Sequence, residues 1–235
     1  MPTGSMDIKK AAAVFFDFGE TLATLVPSKE ELFVRAAGSI GLELDLDAVR
    51  RAYQVVDFHN KYSSVHVKDR EAFYRNYNEQ LAEALGISSH IMKLGPALTS
   101  HFRNEKRWQL FDEVPEVLHR LRRTGLPLAV VANWDANLPS LIEDLGIRHL
   151  FSAIVASAAV GVEKPDSAIF LAATEKLGVS SGKQTIFYVG NEYRADVLGP
   201  RAVGLTPVLI DRGGRLPHAD CLRFTSLQDW IKAME

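Results

Sequence analysis

Val14-Phe15-Phe16-Asp17-Phe18-Gly19-Glu20-Thr21-Leu22 is a run of large apolar residues that stops at one carboxylate and passes into a glycine and a hydroxyl. An apolar run closed by turn residues reads as a strand buried on both faces of a parallel sheet, with Asp17 delivered at its carboxyl end. Ligands of open α/β sheets sit at that end. The residues that return to meet Asp17 are therefore the candidates for chemistry.

After Leu22 the pattern turns helical. Ser28-Lys29-Glu30-Glu31 is a capping box, and Leu32, Phe33, Ala36 and Ala37 follow at helical spacing up to Gly41. Asp45 or Asp47 is placed to cap a second helix, Asp69 a third and Ser88 a fourth, the last carrying Pro96 as an expected kink. Residues from about 28 to 104 read as helical with no strand. From Val114 onward helices alternate with apolar runs at Leu126–Ala132, Phe151–Ser157, Thr185–Val189 and Thr206–Ile210. One further helix is expected from Gly190 to Val203 and another near Leu227–Met234. Such alternation predicts a parallel sheet joined by helical crossovers. The expected division is an α/β core of residues 6–25 and 108–235, with an all-helical domain, 26–107, inserted after the first strand.

Composition narrows the function classes. The 235 residues carry a formal net charge of −2, which leaves no electrostatic footprint for nucleic acid or acidic membranes. Lys9-Lys10 before Ala11–Phe16 resembles a signal-peptide start, but that apolar run is six residues long and ends in Asp17. It is also too short to span a membrane. The single cysteine, Cys221, excludes an internal disulfide and fits a reducing compartment, so a cytoplasmic protein is expected.

Three later runs end as the first does. Asn133 follows Val130-Val131-Ala132, Lys164 sits in Gly161-Val162-Glu163-Lys164-Pro165-Asp166, and Asn191 and Asp196 follow Phe187-Tyr188-Val189-Gly190. If these strands are parallel neighbours, Asp17, Asn133, Lys164, Asn191 and Asp196 gather at one rim. Carboxylates with one lysine there suit an anionic substrate and a hard divalent cation.

With these motifs in order, the chain resembles the haloacid dehalogenase (HAD) superfamily along essentially its whole length. Asp17-Phe18-Gly19-Glu20-Thr21 matches the family's Asp-x-Asp-x-Thr, Val131-Ala132-Asn133 its apolar-Ser/Thr-Asn, Lys164-Pro165-Asp166 its third motif, and Gly190-Asn191 with Asp196 its Gly-Asp-x(4)-Asp. The resemblance implies a Rossmann-like core and a C1-type helical cap that closes over the site and selects the substrate. It also implies Mg²⁺-dependent phosphoryl transfer from a small phosphorylated metabolite. Asp17 would be the nucleophile, Thr21 a hydrogen-bonding neighbour, and Lys164, Asn133 and the Ala132 backbone would hold the phosphoryl group. Asp17, the Gly19 carbonyl, Asn191 and Asp196 would hold the metal.

Three positions depart from that pattern. Gly19 stands where family phosphatases carry the Asp that protonates the leaving group, help worth ~10²–10⁴-fold in rate. Glu20 is one residue further along, and alternation of an extended segment aims it elsewhere. Ala132 lacks the phosphate-binding hydroxyl, and Asn191 removes a negative charge. Slow or altered chemistry is the expectation. Two alternatives accompany it: a metal-free carbon–halogen hydrolase, which needs no leaving-group acid but requires a cap arginine such as Arg35 or Arg50, and a HAD-fold binding protein without turnover. Against the halogen reading, the family's dehalogenases set Asn closer to Asp than Asn191 is to Asp196.

Overall fold

The apolar run before Asp17 forms β1, Ala13–Phe16, with all four residues buried. The structure is a computed structural model that describes residues 8–60, 70–180, 185–214 and 216–234. The chain continues through β2 (Ala23–Val26), four helices α1 (Lys29–Ser39), α2 (Leu46–Asn60), α3 (Arg70–Ala84) and α4 (Ile91–Asn104), then β3 (Arg107–Leu110). α5 (Val114–Arg123), β4 (Leu128–Ala132), α6 (Leu138–Asp144), β5 (Ala153–Ala156), α7 (Ser157–Val160), α8 (Ser167–Leu177) and β6 (Ile186–Gly190) follow. A π-helical turn, Tyr193–Leu198, leads into α9 (Gly199–Ala202), β7 (Thr206–Ile210), β8 (Leu222–Phe224) and α10 (Leu227–Ala233).

The expected parallel sheet is present. Its order is β5-β4-β1-β6-β7-β8, and every pair runs parallel. β1 lies between β4 and β6, with Phe16 opposite Val130 on one side and Val189 on the other. That register sets Asp17 abreast of Val131 and Gly190, and the Asp17 amide donates to the Val189 carbonyl at 2.8 Å. β1, β4 and β6 are buried at every position, as apolar strands covered on both faces must be. Phe15, Val131, Val155, Phe170 and Tyr188 belong to one core cluster on this sheet.

Two compact units result, Met1–Thr24 with Gln109–Glu235, and Leu25–Trp108. The second unit is built from α1–α4 around Phe33, Tyr53, Leu81, Leu94 and Leu98. Ser28 caps α1 in a complete capping box with Glu31, as its sequence spacing predicts. α4 is one element through Pro96. The predicted cap of the third helix, Asp69, lies outside the described residues.

The elements differ from expectation in two respects. β2 and β3 pair as a two-stranded ribbon and β8 extends the main sheet, although no strand was expected at these positions. The segment after Gly190 is a wide π turn followed by a four-residue helix instead of one continuous helix. Pro200 has no amide to donate, so it cannot bond back into the preceding turn.

Candidate active site

The carboxyl ends of β1 and β6 and the loop between α7 and α8 bring three charged side chains into contact. Lys164 Nζ donates to Asp17 Oδ1 at 2.6 Å and to Asp196 Oδ1 at 2.7 Å. All three residues are buried. Tyr188 completes the cluster: its hydroxyl accepts from Lys164 Nζ at 2.9 Å and donates to the Val131 carbonyl at 2.7 Å. The three protons of the lysine ammonium therefore have three partners. Sequence reasoning missed Tyr188. The available signal was a lone phenol inside Ile186-Phe187-Tyr188-Val189-Gly190, because a buried tyrosine hydroxyl needs a partner.

Each side chain is fixed by its local backbone. Asp196 projects from the π turn, and its Oδ2 accepts the amides of Asn191 and Glu192 at 3.0 and 2.9 Å. Gly190 makes room for it, since a Cβ there would lie 2.4 Å from Asp196 Cγ. The Asn133 carboxamide is engaged in both directions by the Lys164 main chain, accepting from its amide at 2.7 Å and donating to its carbonyl at 3.0 Å. Ala132, the last residue of β4, is buried beside it. Asp166 caps α8 by accepting from the Ala168 amide at 2.8 Å, so the residue after Lys164-Pro165 serves the helix.

The loop after Asp17 closes on itself. The Leu22 and Ala23 amides both donate to the Phe18 carbonyl, at 2.8 and 3.1 Å, and the Glu20 amide donates to the Ala23 carbonyl at 2.7 Å. Phe18 packs edge-on against Trp134, with ring centroids 5.1 Å apart. Within this loop Thr21 Oγ1 lies 3.3 Å from Asp17 Oδ2 and 3.2 Å from Asn191 Oδ1, with one proton to share between them. Glu20 sits at φ 58°, and its Oε1 accepts from Thr24 Oγ1 at 2.9 Å. The glutamate nearest the gap left by Gly19 is thus exposed and engaged by Thr24, and the backbone there is a left-handed turn rather than the extended segment expected from alternation.

Electrostatics follow from burial. Desolvation pushes the Asp17 carboxyl up to about 6, with the Lys164 charge pulling it down and the Asp196 charge pushing it up. Burial alone would lower the Lys164 ammonium, but Asp17 and Asp196 outweigh it and hold the lysine well above its usual value. Burial also drives the Tyr188 phenol well above its usual value, so it stays a neutral donor.

Oxygen donors at this rim fit a hard cation. Among the described residues no three His, Cys, Asp or Glu side chains form a metal-binding group. The oxygen donors that the structure brings together are instead the two carboxylates, Asp17 and Asp196, and the Asn191 side-chain oxygen. Mg²⁺ commonly binds through one or two carboxylates and keeps several waters, so this set fits it. The Asn191 oxygen already stands at the Thr21 hydroxyl that reaches Asp17.

A Rossmann-like core whose carboxyl edge carries this lysine–carboxylate cluster places the chain among α/β enzymes. The family profile of haloacid dehalogenase-like hydrolases matches residues 11–204, and the chain belongs to that hydrolase family. It is 27% identical over 215 residues to haloacid dehalogenase-like hydrolase domain-containing protein 3 of Danio rerio, covering 88% of each chain. It is 28% identical over 209 residues to glyceraldehyde 3-phosphate phosphatase of Methanopyrus kandleri, covering 86% of this chain and 84% of that one. Among solved structures, the HAD-hydrolase YfnB of Bacillus subtilis bound to magnesium shares the fold with a TM-score of 0.70 at 18% identity, covering 96% and 99% of the two chains. No described helix is long and apolar enough to cross a membrane.

Proposed function

We propose that this hydrolase is a Mg²⁺-dependent phosphatase acting on a small phosphorylated metabolite through an aspartyl-phosphate on Asp17. The observation that carries the reading is the buried contact of Lys164 Nζ with Asp17 Oδ1 at 2.6 Å, repeated to Asp196 at 2.7 Å. A lysine so placed restrains the Asp17 charge and orients the carboxylate for in-line attack, which divides one displacement into two easier ones. The phosphatase name of a relative aligned over most of this chain supports the substrate class.

Asp17 attacks phosphorus and later releases phosphate to water. Thr21 orients the Asp17 carboxylate through its hydroxyl. Lys164 has every proton engaged, so it reaches a phosphoryl oxygen only by exchanging one of its three partners. The Asn133 side chain acts through the Lys164 backbone that it brackets, and the phosphoryl group is met by the main chain at Ala132–Asn133. Asp17, the Gly19 carbonyl, Asn191 and Asp196 would hold Mg²⁺, which supplies positive charge against the transferring phosphoryl group. Residues 26–107 serve as a C1-type cap domain on a core of 6–25 and 108–235, and select the substrate. The protein works in the cytoplasm, which its single cysteine fits.

With Gly19 at the acid's position and Glu20 held by Thr24, the leaving group departs without a protein proton. Acyl phosphates and aryl esters are the substrates that tolerate this. Hydrolysis of p-nitrophenyl phosphate with and without Mg²⁺, beside Asp17→Asn, tests the reading. Turnover that needs no metal, or that survives the substitution, overturns it.

The same observation favours a second reading, carbon–halogen hydrolysis, because a halide departs as an anion. Metal-free chloride release from a 2-chloro acid, lost in Asp17→Asn, would establish it over the first. Binding of a phosphate analogue with Mg²⁺ but no turnover of either substrate type would instead mark a binding protein.

A further inference from the structure

We infer that Arg212 is a positioning residue that clamps the nucleophile loop from the end of β7. The inference rests on the reading of Asp17–Thr21 as the reacting loop and adds to it a residue that none of the four motifs contains.

Arg212 follows Asp211 in the turn that leaves β7. Asp211 is buried and anchors this turn: its amide donates to the Phe224 carbonyl at 2.8 Å, and its Oδ2 accepts from the Leu216 amide at 2.9 Å and from Arg223 Nη1 at 3.0 Å. From this base the Arg212 guanidinium reaches the loop that follows β1. Nη2 donates to the Thr21 carbonyl at 3.0 Å, across 191 positions of sequence. The guanidinium carbon lies 3.5 Å from the centroid of the Phe111 ring, a stacked cation–π contact. Nη2 also stands 2.8 Å from Glu113 Oε1.

These partners surround one loop. The Phe111 amide donates to the Leu22 carbonyl at 3.1 Å, so two successive carbonyls, Thr21 and Leu22, are gripped by the same assembly. The hydroxyl of Thr21 is the group within reach of Asp17 Oδ2 and Asn191 Oδ1. Holding the Thr21 carbonyl therefore sets where its hydroxyl, and through it the Asp17 carboxylate, can stand. The arrangement has a visible cost. Arg212 Nε and Glu113 Oε1 are buried with no hydrogen-bond partner among the described residues, so the Glu113 contact is charge pairing without a directed bond. A guanidinium aimed for its own hydrogen bonding would turn its fork onto the carboxylate. Here one arm is directed at Thr21 instead. Only a planar cation satisfies the stack and the carbonyl together, which a lysine cannot do.

Hydrogen exchange of the full chain reads the clamp without relying on turnover. In Arg212→Ala, the amides of residues 18–23 should exchange at least about tenfold faster, while those of 128–132 keep their protection. With p-nitrophenyl phosphate and Mg²⁺, kcat should fall about 10–100-fold with KM within about threefold, because geometry is lost and ground-state binding is not. Arg212→Lys should recover less than half of either effect, and added guanidinium should restore part of the Arg212→Ala activity. If Arg212→Ala does not fold, Glu113→Gln, which removes only the counter-charge, should still speed exchange in 18–23 several-fold. Unchanged exchange in 18–23 in the folded variant, or full recovery by lysine, overturns the inference. Absence of turnover in the parent protein would overturn the phosphatase reading alone, because the exchange result still decides the clamp.

Discussion

Tyr188 Oη lies 2.9 Å from Lys164 Nζ and 2.7 Å from the Val131 carbonyl, so one phenol links the buried lysine of the α8 loop to the strand beside β1. Tyr188→Phe keeps the ring against Phe170 and removes only this link. It leaves a buried ammonium proton without its partner, at about 1–3 kcal/mol or more because the group is charged. The expected outcome is a lower unfolding midpoint in urea together with a kcat reduced by about tenfold or more, read on p-nitrophenyl phosphate.

The raised Asp17 carboxyl gives a signed pH dependence. Between its usual 3.8 and about 6, the folded chain binds the Asp17 proton more tightly than the unfolded chain does. Raising pH through that window therefore removes stability, by about 3 kcal/mol at most for the full shift. Lys164 acts in the opposite range: its contribution is present below 10.5 and is lost only as pH rises toward its higher folded value. Asp17→Asn should abolish turnover. Its unfolding temperature relative to the parent should climb between pH about 4 and 6 and then level off.

Gly19→Asp should supply the missing proton donor. Gly19 is not among the residues at positive φ, so its backbone suits a side chain. Alkyl phosphate esters, whose alkoxide leaving groups need a proton, should be hydrolysed faster by about tenfold or more, within the ~10²–10⁴-fold range of acid help. p-Nitrophenyl phosphate should change little. The alkyl-to-aryl rate ratio is the measurement, and an unchanged ratio would mean that the position does not face the leaving group.

Gly190→Ala should disable the site through contact alone. The added Cβ would fall 2.4 Å from Asp196 Cγ and 2.5 Å from its Oδ2, the atom that accepts the Asn191 and Glu192 amides. Asp196 must move, and Lys164 then loses one of its two counter-charges. Breaking a buried charge pair costs about 3–5 kcal/mol, so a large fall in thermal stability should accompany loss of activity.

The sheet strands were legible where they are buried on both faces. Val14–Phe16, Val130–Ala132 and Phe187–Val189 are continuous apolar runs that end at polar residues, and β1, β4 and β6 occupy those positions. β2, β3 and β8 were not, because they are partly exposed where β1, of similar length, is buried throughout, so their residues do not stand out as a buried apolar run. Asp196 was legible as a rim residue because it follows the buried strand β6 closely in sequence, whereas Lys164, which comes after β5 and α7, was legible from its loop, residues 161–166.

The sequence by itself determined the family, the alternation of strands and helices, and the arrival of Asp17, Lys164 and Asp196 at one edge. Those features are local: an apolar run, a turn and a polar residue are read within a few positions. What the tertiary structure alone decided is which atoms those residues face. Tyr188 on Lys164, Asn133 on the Lys164 backbone, Glu20 on Thr24 and Arg212 on Thr21 depend on rotamers and, for all but Glu20, on strand register between distant segments. Asp17 therefore opens the sheet as a carboxylate readable from its own strand, while the groups that tune and hold it come from chain segments that only folding brings near.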